Sequence, residues 1–409
     1  MYIERKLEEK ILKYLDKPEI IAILGPRQCG KTTMLKKIFS DLKNANFISF
    51  EDRDALNLFN HDIGNFVELY AKNYKYLFID EFQYAKSGGK KLKYIFDTQK
   101  TKIIISGSSA IDLSVNAIKY LVGRIFVFNL YPLSFEEFLS YKNRDLFEIY
   151  KKEASGFLEF EKNQISNEIH NKLKKNFEEY AIYGGYPRVV ISADNEEKKE
   201  VLKNIYGTFF LREVRDVLGL IDDYKLEKLI KGLALQVGGL IEYNELGQLS
   251  EFSYPTLKRY LNFLEKTFIC RRLPPYFKNK RTEIIKNPKI YFIDCGMRNQ
   301  IINDFRPIEE RGDRGQILEN AVFSQLVKNG YDFNFWRTKN KNEVDFILKM
   351  EGRNLIALEI KSKAKVFDFG SIKLFKRDYP ESKIIVGYLD VPASPAPGAE
   401  IAFSPVYLF

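Results

Sequence analysis

An apolar run, Ile20–Leu24, passes into Gly25, Pro26, Arg27, Gln28, Cys29, Gly30, Lys31 and Thr32, and a helix-like pattern over residues 32–39 follows at once. No other stretch constrains the chain as tightly. The eight residues satisfy G-x-x-x-x-G-K-[ST] at every fixed position, in the strand–loop–helix context that the motif requires. Glycines let the backbone curl until its N–H groups face a phosphate. The helix N-terminus adds a fixed partial positive charge. Lys31 is expected to reach the β- and γ-phosphates and Thr32 to hold Mg²⁺. Residues 25–33, ending at Thr33, are therefore the expected site for ATP with Mg²⁺. The competing reading is a glycine-rich turn with a buried lysine.

Three further elements bear on that site. The apolar run 76–79 ends in Asp80 and Glu81. Asp80 is expected to share the Mg²⁺ shell with Thr32, and Glu81 to polarise the attacking water. The run 103–106 ends in hydroxyls, so Ser106 or Ser108 could sense the γ-phosphate, although a simple turn explains them nearly as well. Gly123 and Arg124 precede another apolar run. Arg124 could meet nucleotide charge in cis, act in trans across a homo-oligomer interface, or form a structural ion pair.

Short apolar runs at Ile20–Leu24, 46–50, 76–79, 103–106 and Ile125–Asn129 alternate with helical patterns. Consecutive apolar positions suit strands buried on both faces, and the alternation predicts a parallel sheet with helices on both faces. The fold class is thus α/β multidomain, built on a P-loop NTPase core over residues 1–135. A helical segment follows at 136–219, broken by Tyr183, Gly184, Gly185, Tyr186 and Pro187. Residues 220–298 have the order of a winged helix-turn-helix. Its helices fall at 226–237, Tyr243–Ser250 and 256–266, with Pro255 at the third helix start and wing strands at 268–273 and 289–293. Residues 299–409 form a second α/β unit: a helix at 315–328, then strands at Phe333–Arg337, Glu343–Lys349, 355–361 and 383–389. An irregular tail is expected at 392–398.

The net charge is +10. Ten basic and two acidic residues between Pro255 and Lys289 concentrate +8 in one stretch. This suggests a polyanion such as double-stranded DNA, against the alternative of a solvated face. Three scattered cysteines and two histidines disfavour disulfides, zinc sites and histidine triads. No apolar run approaches the ~18 residues of a membrane span. Residues 1–17 form an amphipathic pattern rather than a signal, so a cytoplasmic location is expected.

Taken together, the loop of residues 25–33, the run Phe78, Ile79, Asp80, Glu81, Phe82, Gln83, and the run Ser106, Gly107, Ser108, Ser109 resemble a family of archaeal and bacterial AAA-type ATPases. Leu121 to Arg124, Leu130 to Phe135, Tyr183 to Pro187, Arg212 to Asp216 and Tyr291 to Gly296 strengthen that resemblance across nearly the whole chain. Its members join a P-loop domain to a C-terminal domain described only as of unknown function. The resemblance implies an ATPase core, a winged-helix middle and a nuclease-like end. Cys29 departs from the small aliphatic residue often found there.

The last segment holds Glu319 on the expected helix, and Asp345 and Glu359 on successive expected strands. Glu359 and Lys361 are two apart on one strand and share a face. Asp345 and Glu359 could hold Mg²⁺, with Lys361 orienting water for attack on a phosphodiester and Glu319 completing the shell. The set looks like the PD-(D/E)XK restriction-nuclease superfamily. Three functions stay open: an ATP-regulated enzyme acting on DNA, a nucleotide-dependent switch with an inactive nuclease-like domain acting on protein partners, and a defence module in which ATP restrains a nuclease.

Overall fold

The computed structural model describes residues 2–107, 120–155, 165–210, 223–363, 370–390 and 401–409. Ser108, residues 211–222 (the Arg212 to Asp216 motif) and the expected tail at 392–398 lie outside them. The chain is an α/β protein of two compact units. One comprises Met1–Pro132 with Asn262–Ile269, the other Leu133–Leu261 with Cys270–Phe409. Among the described residues, no helix is long and apolar enough to cross a membrane.

In the first unit five strands form one parallel sheet: β1 (Ile20–Leu24), β2 (Ala45–Ser49), β3 (Tyr76–Asp80), β4 (Lys102–Gly107) and β5 (Ile125–Asn129). Their spatial order is β2-β3-β4-β1-β5, and every adjacent pair is parallel. The three inner strands are buried at every position. Alternation along each strand divides their side chains between two cores. Ile20, Ala22, Leu24, Leu77, Ile79, Ile103 and Ile105 face one core with Phe50, Phe59, Phe66, Leu92 and Ile95. Ile21, Ile23, Phe78 and Ile104 face the other, with Ile11, Met34, Leu35 and Ile38. Apolar residues in unbroken runs are thus what a sheet covered by helices on both faces demands.

Direction matters for the site. In a parallel sheet all carboxyl ends lie along one edge, and Leu24 is in register with Gly107 and Asn129. The segments after β1, β3 and β4 therefore leave from the same edge, where ligands of open α/β sheets collect.

The second unit begins with the helix Phe135–Lys142. It starts with a reciprocal cap: Ser134 accepts from the Glu137 N–H, and Glu137 accepts from the Ser134 N–H. The helix Asn167–Tyr183 ends at Gly184, φ 76°. Here a Cβ would lie 2.1 Å from an Asp294 carboxylate oxygen, and one on Gly296 would lie 2.0 Å from the Tyr183 carbonyl. The Asp294 carboxylate accepts from the Gly185 N–H at 2.7 Å and from the Met297 N–H at 3.0 Å. Two glycine-bearing motifs more than a hundred residues apart in sequence thus interlock by close backbone approach.

Helices Asp223–Leu235, Tyr243–Ser250 and Tyr254–Lys266 follow. Leu257, Tyr260, Leu261 and Leu264 are buried while Lys258 and Arg259 are exposed, as the helical spacing predicts. The strands β6 (Cys270–Leu273) and β7 (Lys289–Phe292) pair antiparallel, with the short helix Lys280–Ile285 between them. Leu240 adds an antiparallel bridge to Lys289.

After the helix Arg314–Lys328 come β8 (Phe333–Arg337), β9 (Glu343–Lys349), β10 (Leu355–Lys363), β11 (Lys383–Asp390) and β12 (Ile401–Pro405). They form a sheet in the order β12-β11-β10-β9-β8. β8, β9 and β10 are antiparallel neighbours, while β11 and β12 run parallel to β10. The strand β12 was not foreseen from the sequence, where its five residues follow the proline-rich tail without a pattern of their own.

Candidate nucleotide site and a carboxylate cluster

The loop of residues 25–30 is shaped by close contact. A Cβ on Gly25 would stand 2.0 Å from the carbonyl oxygen of Leu130, so only glycine lets the chain leave β1 here. Gly30, at φ 97°, starts the helix Lys31–Ser40 without a side-chain cap. Gln28 is also left-handed, at φ 60°. The first N–H groups of that helix have no acceptor within it, which makes its N-terminus an anion seat. These features fit a phosphate-bearing ligand. Pro26 is buried, Arg27 half-buried, and Gln28 and Thr33 exposed along the rim. Cys29 is fully buried, its Sγ 3.3 Å from the Leu130 carbonyl. Its thiol packs beneath the loop and away from the seat.

Lys31, only 5% exposed, donates to the carbonyls of Gly25 and Pro26, each at 2.9 Å. Thr32 Oγ1 donates to Asp80 Oδ2 at 2.6 Å. Ser106 donates to the other oxygen, Asp80 Oδ1. The loop after β1, the acid ending β3 and the hydroxyl of β4 therefore meet as one hydrogen-bonded group. Glu81 has a left-handed backbone, φ 53° and ψ 43°, which ends β3 and turns its side chain from the strand direction. Gln83 donates to its carboxylate.

Two residues depart from expectation. Arg124 precedes β5, and its carbonyl accepts from the N–H of Ile20, at the amino end of β1. It therefore lies at the sheet edge opposite the loop, roughly five strand residues or ~16 Å away. Its Nε pairs with Asp97 at 3.3 Å and its guanidinium lies over the Phe96 ring. This placement does not support a contact in cis with nucleotide at residues 25–33. Arg5, by contrast, was missed. It is 6% exposed and donates to the carbonyls of Cys29 at 2.8 Å and Tyr131 at 2.6 Å, which fixes the underside of the loop. Nothing in a charged amphipathic N-terminus marks one arginine for burial.

In the second unit, the four residues singled out at the C-terminal end do converge. Glu319, Asp345 and Lys361 line a cavity of about 490 Å³ together with Lys289, Glu343 and Gly238. Glu359 accepts from Lys361 Nζ at 2.8 Å and from the Asp345 N–H at 3.4 Å. Asp345 Oδ2 accepts from the Ile360 N–H at 2.8 Å. Burial holds the Asp345 carboxyl well above the usual range, reinforced by Glu359 and Glu319, and burial likewise raises Glu359.

An internal cation sits among the acids that include the expected Mg²⁺ pair, Asp345 and Glu359. Among the described residues, no three histidine, cysteine or acidic groups are arranged to hold a metal ion. Lys289, counted from sequence as part of the basic face, is instead 1% exposed. Its ammonium contacts Glu319 at 2.9 Å and Glu343 at 2.6 Å. A lysine thirty residues from its partner carries no sequence signal of this role.

Residues 17–139 match an AAA domain family. Residues 174–307 and 314–392 match two domains of unknown function. The AAA match supports an AAA-type P-loop ATPase. An uncharacterized protein of Haemophilus influenzae is 27% identical over 358 residues, covering 83% of this chain and 82% of its own. One of Methanocaldococcus jannaschii is 28% identical over 367 residues, covering 87% and 76%. Among solved structures, the Aeropyrum pernix ORC2 protein in its ADP form is similar at a TM-score of 0.31 and 13% identity, over 66% of this chain and 87% of that one.

Proposed function

We propose that this chain is a Mg²⁺-dependent ATP hydrolase that couples nucleotide binding or turnover to engagement of duplex DNA. The observation that carries the first part is the group of Lys31, Thr32, Asp80 and Ser106, drawn together at one sheet edge beside a glycine-shaped loop. Bound ATP with Mg²⁺ would supply a phosphoanhydride open to attack by water. The loop N–H groups and Lys31 neutralise phosphate charge, for which Lys31 gives up its two carbonyl partners. Thr32 and Asp80 would hold the cation, and Ser106 holds the Asp80 carboxylate in place. Glu81 accepts the proton of the attacking water.

The second part rests on residues 220–298 as a winged helix, with domain bounds at 136, 220 and 299. Three helices, a hairpin and the Leu240 bridge support that reading. Lys258 and Arg259 are exposed on the third helix. We read residues 299–409 as a restriction-nuclease-like domain, a reading supported by the helix Arg314–Lys328, the antiparallel β8, β9 and β10 and the parallel β11. We read that domain as non-cleaving, because Lys289 neutralises its acids. Ser108 remains a candidate γ-phosphate sensor, and Arg124 one that acts in trans in a homo-oligomer.

Hydrolysis measured with and without duplex DNA tests the coupling, and equal rates at saturating DNA would overturn it. Affinity for duplex DNA should fall steeply with salt, as phosphate contacts require. No product should form in Mg²⁺ or Mn²⁺ digests, with Lys361→Ala as the control for contaminating nuclease.

A further inference from the structure

The acids of the C-terminal sheet need a counter-charge. Glu319, Glu343, Asp345 and Glu359 approach one another around a single cavity, and unpaired buried carboxylates are costly. Nuclease-like folds of this type meet that need with a divalent cation. Here the chain supplies its own. Lys289 lies on β7, outside the sheet that carries Asp345 and Glu359, and its side chain is 2% exposed. Two of its three N–H groups are accounted for by Glu319 Oε1 and Glu343 Oε1. Tyr291, two residues along the same strand, donates to that Glu319 oxygen as well. The other Glu343 oxygen pairs with Arg337 at 2.8 Å, and Glu359 is held by Lys361.

Four carboxylates face Lys289, Lys361 and Arg337. A divalent cation entering this cluster would meet a fixed ammonium within it and find most of the carboxylate oxygens already engaged.

We propose that the Lys289 ammonium is the resident cation of this cluster and stands in the place of a divalent metal ion. The domain is then metal-free in this arrangement, and its acids become a metal site only when Lys289 is removed. This claim does not rest on the ATPase reading, because the test uses protein without nucleotide.

The experiment is Mn²⁺ titration of the full chain, nucleotide-free, followed by electron paramagnetic resonance of the unbound ion. The wild type should show no Mn²⁺ site that Asp345→Asn abolishes. Lys289→Met should gain one site per chain, at least tenfold tighter than anything in the wild type, and Lys289→Met with Asp345→Asn should lose it. Thermal melting checks that each variant is folded. A wild-type site lost in Asp345→Asn overturns the proposal. So does a folded Lys289→Met that gains nothing. Should Lys289→Met not fold, the smaller change Lys289→Gln takes its place, and the wild-type arm still decides between a metal site and none.

Discussion

Replacing Arg5 by methionine should loosen the nucleotide loop from below. The substitution keeps the length and much of the packing of the side chain but removes both donors. Two carbonyls, those of Cys29 and Tyr131, then lose partners at 2.8 and 2.6 Å in a buried setting. Hydrogen bonds from a charged group contribute roughly 1.5–3 kcal/mol each. Against that sum stands the rotamer freedom that the arginine loses when fixed, about 2 kcal/mol. The net loss is about 1–4 kcal/mol. For a unit of this size the melting temperature shifts by roughly 3–4 °C per kcal/mol, so a fall of about 3–16 °C is expected. Calorimetry of the full chain reads this in the transition that ATP raises, because ligand binding to the folded state stabilises it. ATP affinity should weaken about tenfold, since Cys29 lies within the loop itself. A melting point within about 1 °C of wild type, with unchanged affinity, would refute the reasoning.

Two further outcomes follow from local geometry. Gly25→Ala sets a Cβ against the Leu130 carbonyl, which is backbone and cannot rotate aside. It should cost about 3 kcal/mol in chemical denaturation, the upper end for overpacking, and abolish ATP binding in a filter assay. Asp313 pairs with Arg311 at 2.8 Å and with Arg298 at 2.6 Å. Burial pushes its carboxyl up, but the two arginines prevail and lower it to about 2. Because its folded pKa is depressed, its contribution is present above about pH 4 and is lost as pH falls toward 2. That contribution is roughly 2 kcal/mol. Asp313→Asn should therefore flatten the acid limb of the stability curve between pH 4 and 2, as followed by urea midpoints.

The parallel sheet was legible because its signal is local and repeated. Runs such as Ile20–Leu24 carry no polar residue, and that composition excludes a strand with one face in water. The sequence also indicated that residues 25–32, Asp80 and Ser106 belong near one another, because each follows an apolar run that a parallel sheet aligns. The same rule bore on Arg124. A residue before a parallel strand lies at the opposite edge from a loop after one, and there Arg124 pairs with Asp97. Long-range pairing of charges was not legible. Arg5 finds Tyr131 across 126 positions, and Lys289 finds Glu319 across thirty. In both cases burial turned a residue expected at the surface into an internal donor, and no periodicity announces that. The strand β12 escaped because its five residues show no alternation, and the pairing with β11 decides its conformation.

The central claim is that the loop of residues 25–33 with Asp80 and Glu81 hydrolyses ATP. The most direct measurement is steady-state phosphate release by wild type and Glu81→Gln at saturating ATP, with and without Mg²⁺, beside equilibrium binding of a fluorescent ATP analogue. Release by the wild type should require Mg²⁺. In Glu81→Gln it should fall by about 10²-fold or more, within the range for loss of a general base, while binding stays within about twofold. Phosphate release at the wild-type rate in Glu81→Gln, or release that continues without a divalent cation, would contradict the account.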